Sequence, residues 1–235
     1  MDVLALFLAS GGWGVLLLQG ALLTVAVAAA GMAVGAVLGV ALASARVAGG
    51  PGVRSCAAVY TTVLRGIPDL LVIYLFYFGG SSVLSALGGL FGHAGFLGVP
   101  AFATGALALG VVSAAYQAEV YRGAFQAVPR GEIEAARAAG MPPLLMFRRV
   151  IAPQVLRHAL PGLGNVWQLV VKESALISVI GLVELLRASQ LGAGSTRMPF
   201  VFYAAALLLY LLITSVSGHL FERAEAHSMR PYRRA

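Results

Sequence analysis

Charge is what this sequence has least of. Only 11% of its 235 residues carry one, against roughly 25% in an ordinary soluble domain. The mean hydropathy of +0.89 points the same way. A water-soluble globular fold is excluded, and the chain reads as a membrane protein. Lysine is represented by Lys172 alone, followed by Glu173, so the GxxxxGKS or GxxxxGKT loop that cradles nucleotide phosphates cannot be built here. The single cysteine, Cys56, excludes an internal disulfide and any multi-cysteine metal site. HExxH and GxSxG are missing, which leaves zinc proteolysis and the commonest serine-hydrolase arrangement without support. No catalytic residue, metal site or cofactor is read in this chain. The apolar runs lack the alternation of strands, which disfavours a β-barrel.

What fills the chain instead is long apolar sequence. No formal charge occurs from Val3 to Ala45, only His93 interrupts Leu70 to Ala118, and only His219 interrupts Met198 to Phe221. Such runs exceed the roughly 20 residues that cross a bilayer as helix. The expected fold is all-α, with one transmembrane domain over 1–235 and five spans, at about 17–43, 57–79, 101–122, 161–181 and 199–220. The segment around Asp2 lacks the basic region of a cleaved signal, so the first run reads as a retained span with its N-terminus outside and the C-terminus inside. Arg46, Arg54, Arg122, Arg130, Arg137, Arg148, Arg149, Arg157, Arg223, Arg230, Arg233 and Arg234 then fall on the cytoplasmic side. Arg187 and Arg197 remain outside, as the positive-inside rule requires. The net charge of +7 thus marks membrane topology, and nucleic acid is not expected as a partner.

Gly31, Gly35 and Gly39 form a GxxxGxxxG ladder on one face of the first span, where a second helix can approach closely. The Gly-rich stretch 88–100 reads as an outer connection, with His93 as a solvated loop residue. Ionisable groups within spans are costly and mark functional candidates; here they are Asp69, Glu119 and Glu173. Counting from Pro161 at about 1.5 Å per residue sets Lys172 and Glu173 roughly 17 Å into the fourth span. Asp69 sits about halfway along the second span, after Pro68, with Arg65 as a possible partner four residues earlier. Glu119 pairs with Arg122 one turn away as a snorkelling couple. Asp69 and Glu173 are expected to make a polar passage for a cationic solute, with Ser174, Asn165 and Gln168 as neutral contacts. Trp167, His158 and His219 read as structural.

The one long polar interruption is GEIEAARAAGMPPLLMFRRVIAP, residues 131–153. Its first part has helical composition, with Glu134 and Arg137 at i,i+3. Gly140 ends that helix, and Pro142 opens a second short one that Pro153 closes or kinks. A cytoplasmic two-helix loop over 129–157 is expected. Arg148, Arg149 and the Arg-rich tail suit anionic membrane lipid. Leu144, Leu145, Met146, Phe147, Val150 and Ile151 make an apolar surface able to fill a groove on a partner.

The order Glu134-Ala135-Ala136, Gly140, then Val150-Ile151-Ala152-Pro153 resembles the EAA loop of ABC importer permeases, departing from it at Val150 for Ile and Ala152 for Leu. GALLTVAVAAAGMAVGAVLGVALA, LRGIPDLL, YRGAFQAVPRGEIEAA, LPGLGNVWQLVVKESALISVIG and FERAEA follow in the order of the polar amino-acid permeases. The closest likeness is to those for histidine, lysine, arginine and ornithine and for the opines. The resemblance implies an inner-membrane permease subunit of bacterial type. Glu134, Ala135, Ala136, Gly140, Phe147 and Pro153 would engage one of two cytoplasmic ATPase subunits, which carry the ATP and Mg. It also implies a second permease subunit, identical or homologous, and an extracytoplasmic substrate-binding protein. An ion-coupled secondary transporter and a non-transporting membrane scaffold are the rivals; no internal repeat of the kind frequent in the former is present.

Overall fold

The computed structural model describes residues 7, 12–90, 95 and 97–229, and every regular element among them is helical. His93, the N-terminal residues around Asp2, and Arg230, Arg233 and Arg234 lie outside the described residues.

Helix α1, Trp13–Ala48, has 36 residues, about 54 Å of helix against a hydrocarbon core of about 30 Å. It lies along the central helix α4, Ala101–Gln126, which is the most deeply buried membrane-length helix. The glycine ladder makes that contact. A Cβ built on Gly31 would sit 2.9 Å from the Cβ of Leu109, and one on Gly39 would sit 2.9 Å from the Cβ of Gln117. The Gln117 side chain is fully buried and donates to the Met32 carbonyl at 3.1 Å.

The expected span at 57–79 is not one helix. Helix α2, Pro51–Gly66, stops, and α3, Asp69–Leu90, starts anew. Proline disfavours the helical region for the residue before it, and Ile67 accordingly is extended at φ −103°, ψ 150°. The second membrane-length helix is therefore shifted, and Asp69 opens it instead of lying halfway along a span.

Helix α5, Arg130–Ala138, is short and polar. The second loop helix is not separate: from Pro143 the chain continues to Ile180 as α6, which is also the fourth span. A widened π turn at Phe147–Ile151 precedes Pro153. Such a turn relieves the clash and missing hydrogen bond that a proline brings to a helix, so Pro153 neither closes nor breaks it. The last part of α6, Ser174–Ile180, tightens to 3₁₀ geometry and ends at Gly181 with φ +93°. Helix α7, Leu185–Thr196, then packs on α1 and on α8, Pro199–Met229. The main core joins α1, α3, α4 and α6 through Val27, Ile73, Leu109, Val112, Val170 and Ile177.

Candidate functional site

Two regions gather the sequence candidates. The first is the elbow between α5 and α6. Gly140 holds φ +72°, the N–H of Met141 donates to Ala136 O at 3.1 Å, and the N–H of Gly140 donates to Arg137 O at 2.9 Å. This is the Schellman arrangement, in which a left-handed residue satisfies the last helix carbonyls. The apolar residues divide into two sets. Ala136, Met146 and Ile151 are buried together, with Ile133, Met141, Val150 and Phe125 packed around them. Leu144 and Phe147 stay outside, 70% and 52% exposed. Met146, Ile151 and Val150 thus build the elbow's own core and are not part of the outward surface expected from the sequence; Leu144 and Phe147 are. Glu134, Ala135 and Gly140 are exposed, and Pro153 is half-buried. Gln154 on α6 donates to the Glu132 carboxylate on α5, a strut the sequence reading missed.

The second region lies where α2, α3, α4 and α6 converge. The carboxyl groups of Asp69 and Glu173 face each other within hydrogen-bonding reach. Both interact with Tyr116 on α4, and the Arg65 guanidinium lies 5.4 Å from the centre of the Tyr116 ring. Arg65 and Asp69 flank the break at Ile67 and Pro68, so they are not one turn apart on a common helix. Glu173 Oε2 is buried and meets no donor, and Trp167 Nε1 is buried and meets no acceptor. Two carboxylates brought together repel unless a cation or proton lies with them.

The other pathway candidates lie apart. Ser174 is fully buried and donates to Val171 O at 2.7 Å. Asn165 is exposed on α6, eight residues before Glu173 and so about 12 Å away along the axis. Gln168 lies against Gly218 of α8.

Glu119 pairs with Arg122 at 2.7 Å as expected, and also with Arg46 from α1. Arg46 donates in turn to Thr61 of α2 at 3.0 Å, so its guanidinium ties α1 to both α4 and α2. Glu184 was also missed. Fully buried, it caps α7 by accepting from the N–H groups of Leu186 and Arg187 at 2.9 and 2.8 Å. It further accepts from Tyr210 at 2.9 Å and Thr24 at 3.4 Å. An acid directly before an apolar helical run was its only trace in the sequence.

A family model described as the binding-protein-dependent transport system inner membrane component matches residues 31–224. The octopine transport system permease protein OccQ of Rhizobium meliloti is 60% identical over 223 residues, covering 95% of this chain and 94% of that one. The nopaline transport system permease protein NocQ of Agrobacterium fabrum is 47% identical over 234 residues, 99% of each. The crystal structure of an amino acid ABC transporter with histidines superimposes with a TM-score of 0.78 at 31% identity, covering 94% of this chain and 98% of that one.

Proposed function

Because the chain belongs to the family of binding-protein-dependent transport system inner membrane components, and is a permease subunit of an ABC importer, we propose that it carries an opine or basic amino acid, led by its positively charged group, past the Asp69–Glu173 pair. That pair is the observation that carries the reading. A solute bearing a guanidinium or ammonium group supplies the positive charge that two adjacent carboxylates lack. The buried, unpartnered oxygen of Glu173 is the acceptor such a group would use. With Arg65 over Tyr116, the cluster carries a surplus negative charge when both carboxyls are ionised, the state that a bound cation, rather than a neutral solute, favours. Relatives named for octopine and nopaline transport support an opine as the solute.

Motion through this site depends on work done elsewhere, since no nucleotide loop exists in the chain. We assign that coupling to the α5–α6 elbow. Glu134, Ala135, Leu144 and Phe147 present its outer surface to an ATPase subunit, while Ala136 and Gly140 set its shape. Because α6 is helical from the elbow to Glu173, a push on Phe147 is delivered to the acid pair along one continuous element. Two ATPase subunits, a second permease and an external binding protein complete the machine, with ATP and Mg held by the ATPases.

Uptake by Asp69→Asn and Glu173→Gln variants, at matched membrane abundance, tests the site. Losing one charge-assisted contact of about 1.5–3 kcal/mol lowers uptake of cationic substrate by roughly tenfold or more. Unchanged uptake in both variants removes the proposal.

A further inference from the structure

Two cavities at the elbow end of the bundle adjoin each other and have opposite chemistry. The first, about 610 Å³, is lined by Arg46, Arg54, Ser55, Arg122 and Gln126. The second, about 390 Å³, is lined by Val40, Ala43, Tyr121, Val155, Leu156 and Phe147 among others. Val47 and Phe125 line both.

Charge balance separates the first cavity from an ordinary ion-paired surface. Three guanidiniums share it, and Glu119 compensates only one of them while touching both Arg46 and Arg122. Two positive charges are left over. Among the described residues Arg54 makes a single long contact, to Gly49 O at 3.4 Å, which leaves the rest of its donor fork open to a phosphate. Across Val47 and Phe125 the lining turns apolar, so the two cavities together are amphipathic.

We propose that these cavities form a binding site for one anionic phospholipid, its phosphate among Arg46, Arg54 and Arg122 and an acyl chain along Val40, Val155 and Leu156. An inorganic phosphate would satisfy the arginines but leave the apolar cavity unexplained. An acidic protein segment would do the same. A phospholipid matches both halves, and the arginines lie at helix ends, where headgroups are met. Phe147 also lines the apolar cavity, so an occupied site braces the side chain assigned above to ATPase contact. That consequence rests on the proposed function, whereas the lipid site itself does not.

Native mass spectrometry of the purified full chain, given phosphatidylglycerol or phosphatidylcholine with identical acyl chains, tests the site without any transport assay. One phosphatidylglycerol is retained in preference to phosphatidylcholine. Arg54→Gln reduces its retention about fivefold, as removal of one basic residue near an anionic surface does. Leu156→Trp, which fills the groove from an exposed position, also reduces it. Arg137→Gln, on the elbow but outside both cavities, leaves it unchanged. Equal retention of the two lipids, full displacement by inorganic phosphate, no effect of Arg54→Gln and Leu156→Trp, or an equal loss in Arg137→Gln would each overturn the site.

Discussion

At Gly140 the physics of a single residue decides the shape of the coupling elbow. Its φ of +72° costs an L-residue about 1–2 kcal/mol, and a Cβ there would meet nothing within 4 Å. The penalty of substitution is therefore backbone strain alone. Gly140→Ala should loosen the elbow and lower the amount of ATPase retained on the purified permease about fivefold, whereas Gly140→Asn, which tolerates this region, should retain most of it. Gly140→Asp should be worse than Asn, since it adds a charge to the docking surface, while membrane abundance stays normal in all three. Equal retention by Ala and Gly would show that the left-handed turn is dispensable. The glycine, the prolines after it and the preceding EAA triplet were legible in the sequence. The inward turn of Met146 and Ile151 was not, because a run of apolar residues does not say which of them face the protein's own core.

Between elements, the largest dependence is of α1 on α4. The ladder Gly31, Gly35, Gly39 meets Leu109, Ser113 and Gln117, and in a bilayer such close approach takes over the role that water exclusion has in soluble proteins. Gly39→Ala should lower the thermal midpoint in detergent, at a cost of about 1–3 kcal/mol for overpacking. Gly52→Ala, where a Cβ meets nothing within 4 Å, should be neutral or slightly stabilising because alanine favours helix. If both behave alike, the ladder is not an interface. The ladder's spacing was visible in the sequence, but its partner was not, since spacing names a face and never what covers it. The break at Pro68 shows a similar limit: the proline is plain in the sequence, but a proline in a span can kink a helix or end it, and only the extended backbone at Ile67 shows that it ends here.

For the molecule as a whole, exposed apolar surface and charge distribution set how it sits in the membrane. Helix α8 buries little besides Phe202 and Ala206 and turns Leu207, Leu211, Leu212 and Val216 outward, a face suited to lipid or to a second permease. The elbow carries Arg130, Arg137, Arg148 and Arg149, so the positive-inside rule predicts that it faces the cytoplasm. With the exposed Cys56 replaced by serine, a cysteine introduced at the exposed position Ala138 should react with a membrane-impermeant maleimide in inside-out vesicles and not in intact cells. Reaction from the outer side would reverse the topology and remove the elbow from any cytoplasmic ATPase.

The sequence by itself determined that this chain crosses a membrane several times, that it lacks the glycine-rich lysine loop that cradles nucleotide phosphates, and that a polar glycine-jointed elbow divides its third and fourth crossings. These follow from composition, missing motifs and local backbone rules, which act along the chain. Only the tertiary structure decided that Asp69 meets Glu173, that Glu119 bridges to Arg46, that Glu184 is buried under Tyr210, and that three arginines adjoin an apolar groove. Each of these joins residues dozens of positions apart or on separate helices. Their approach is set by helix packing, which no local pattern encodes.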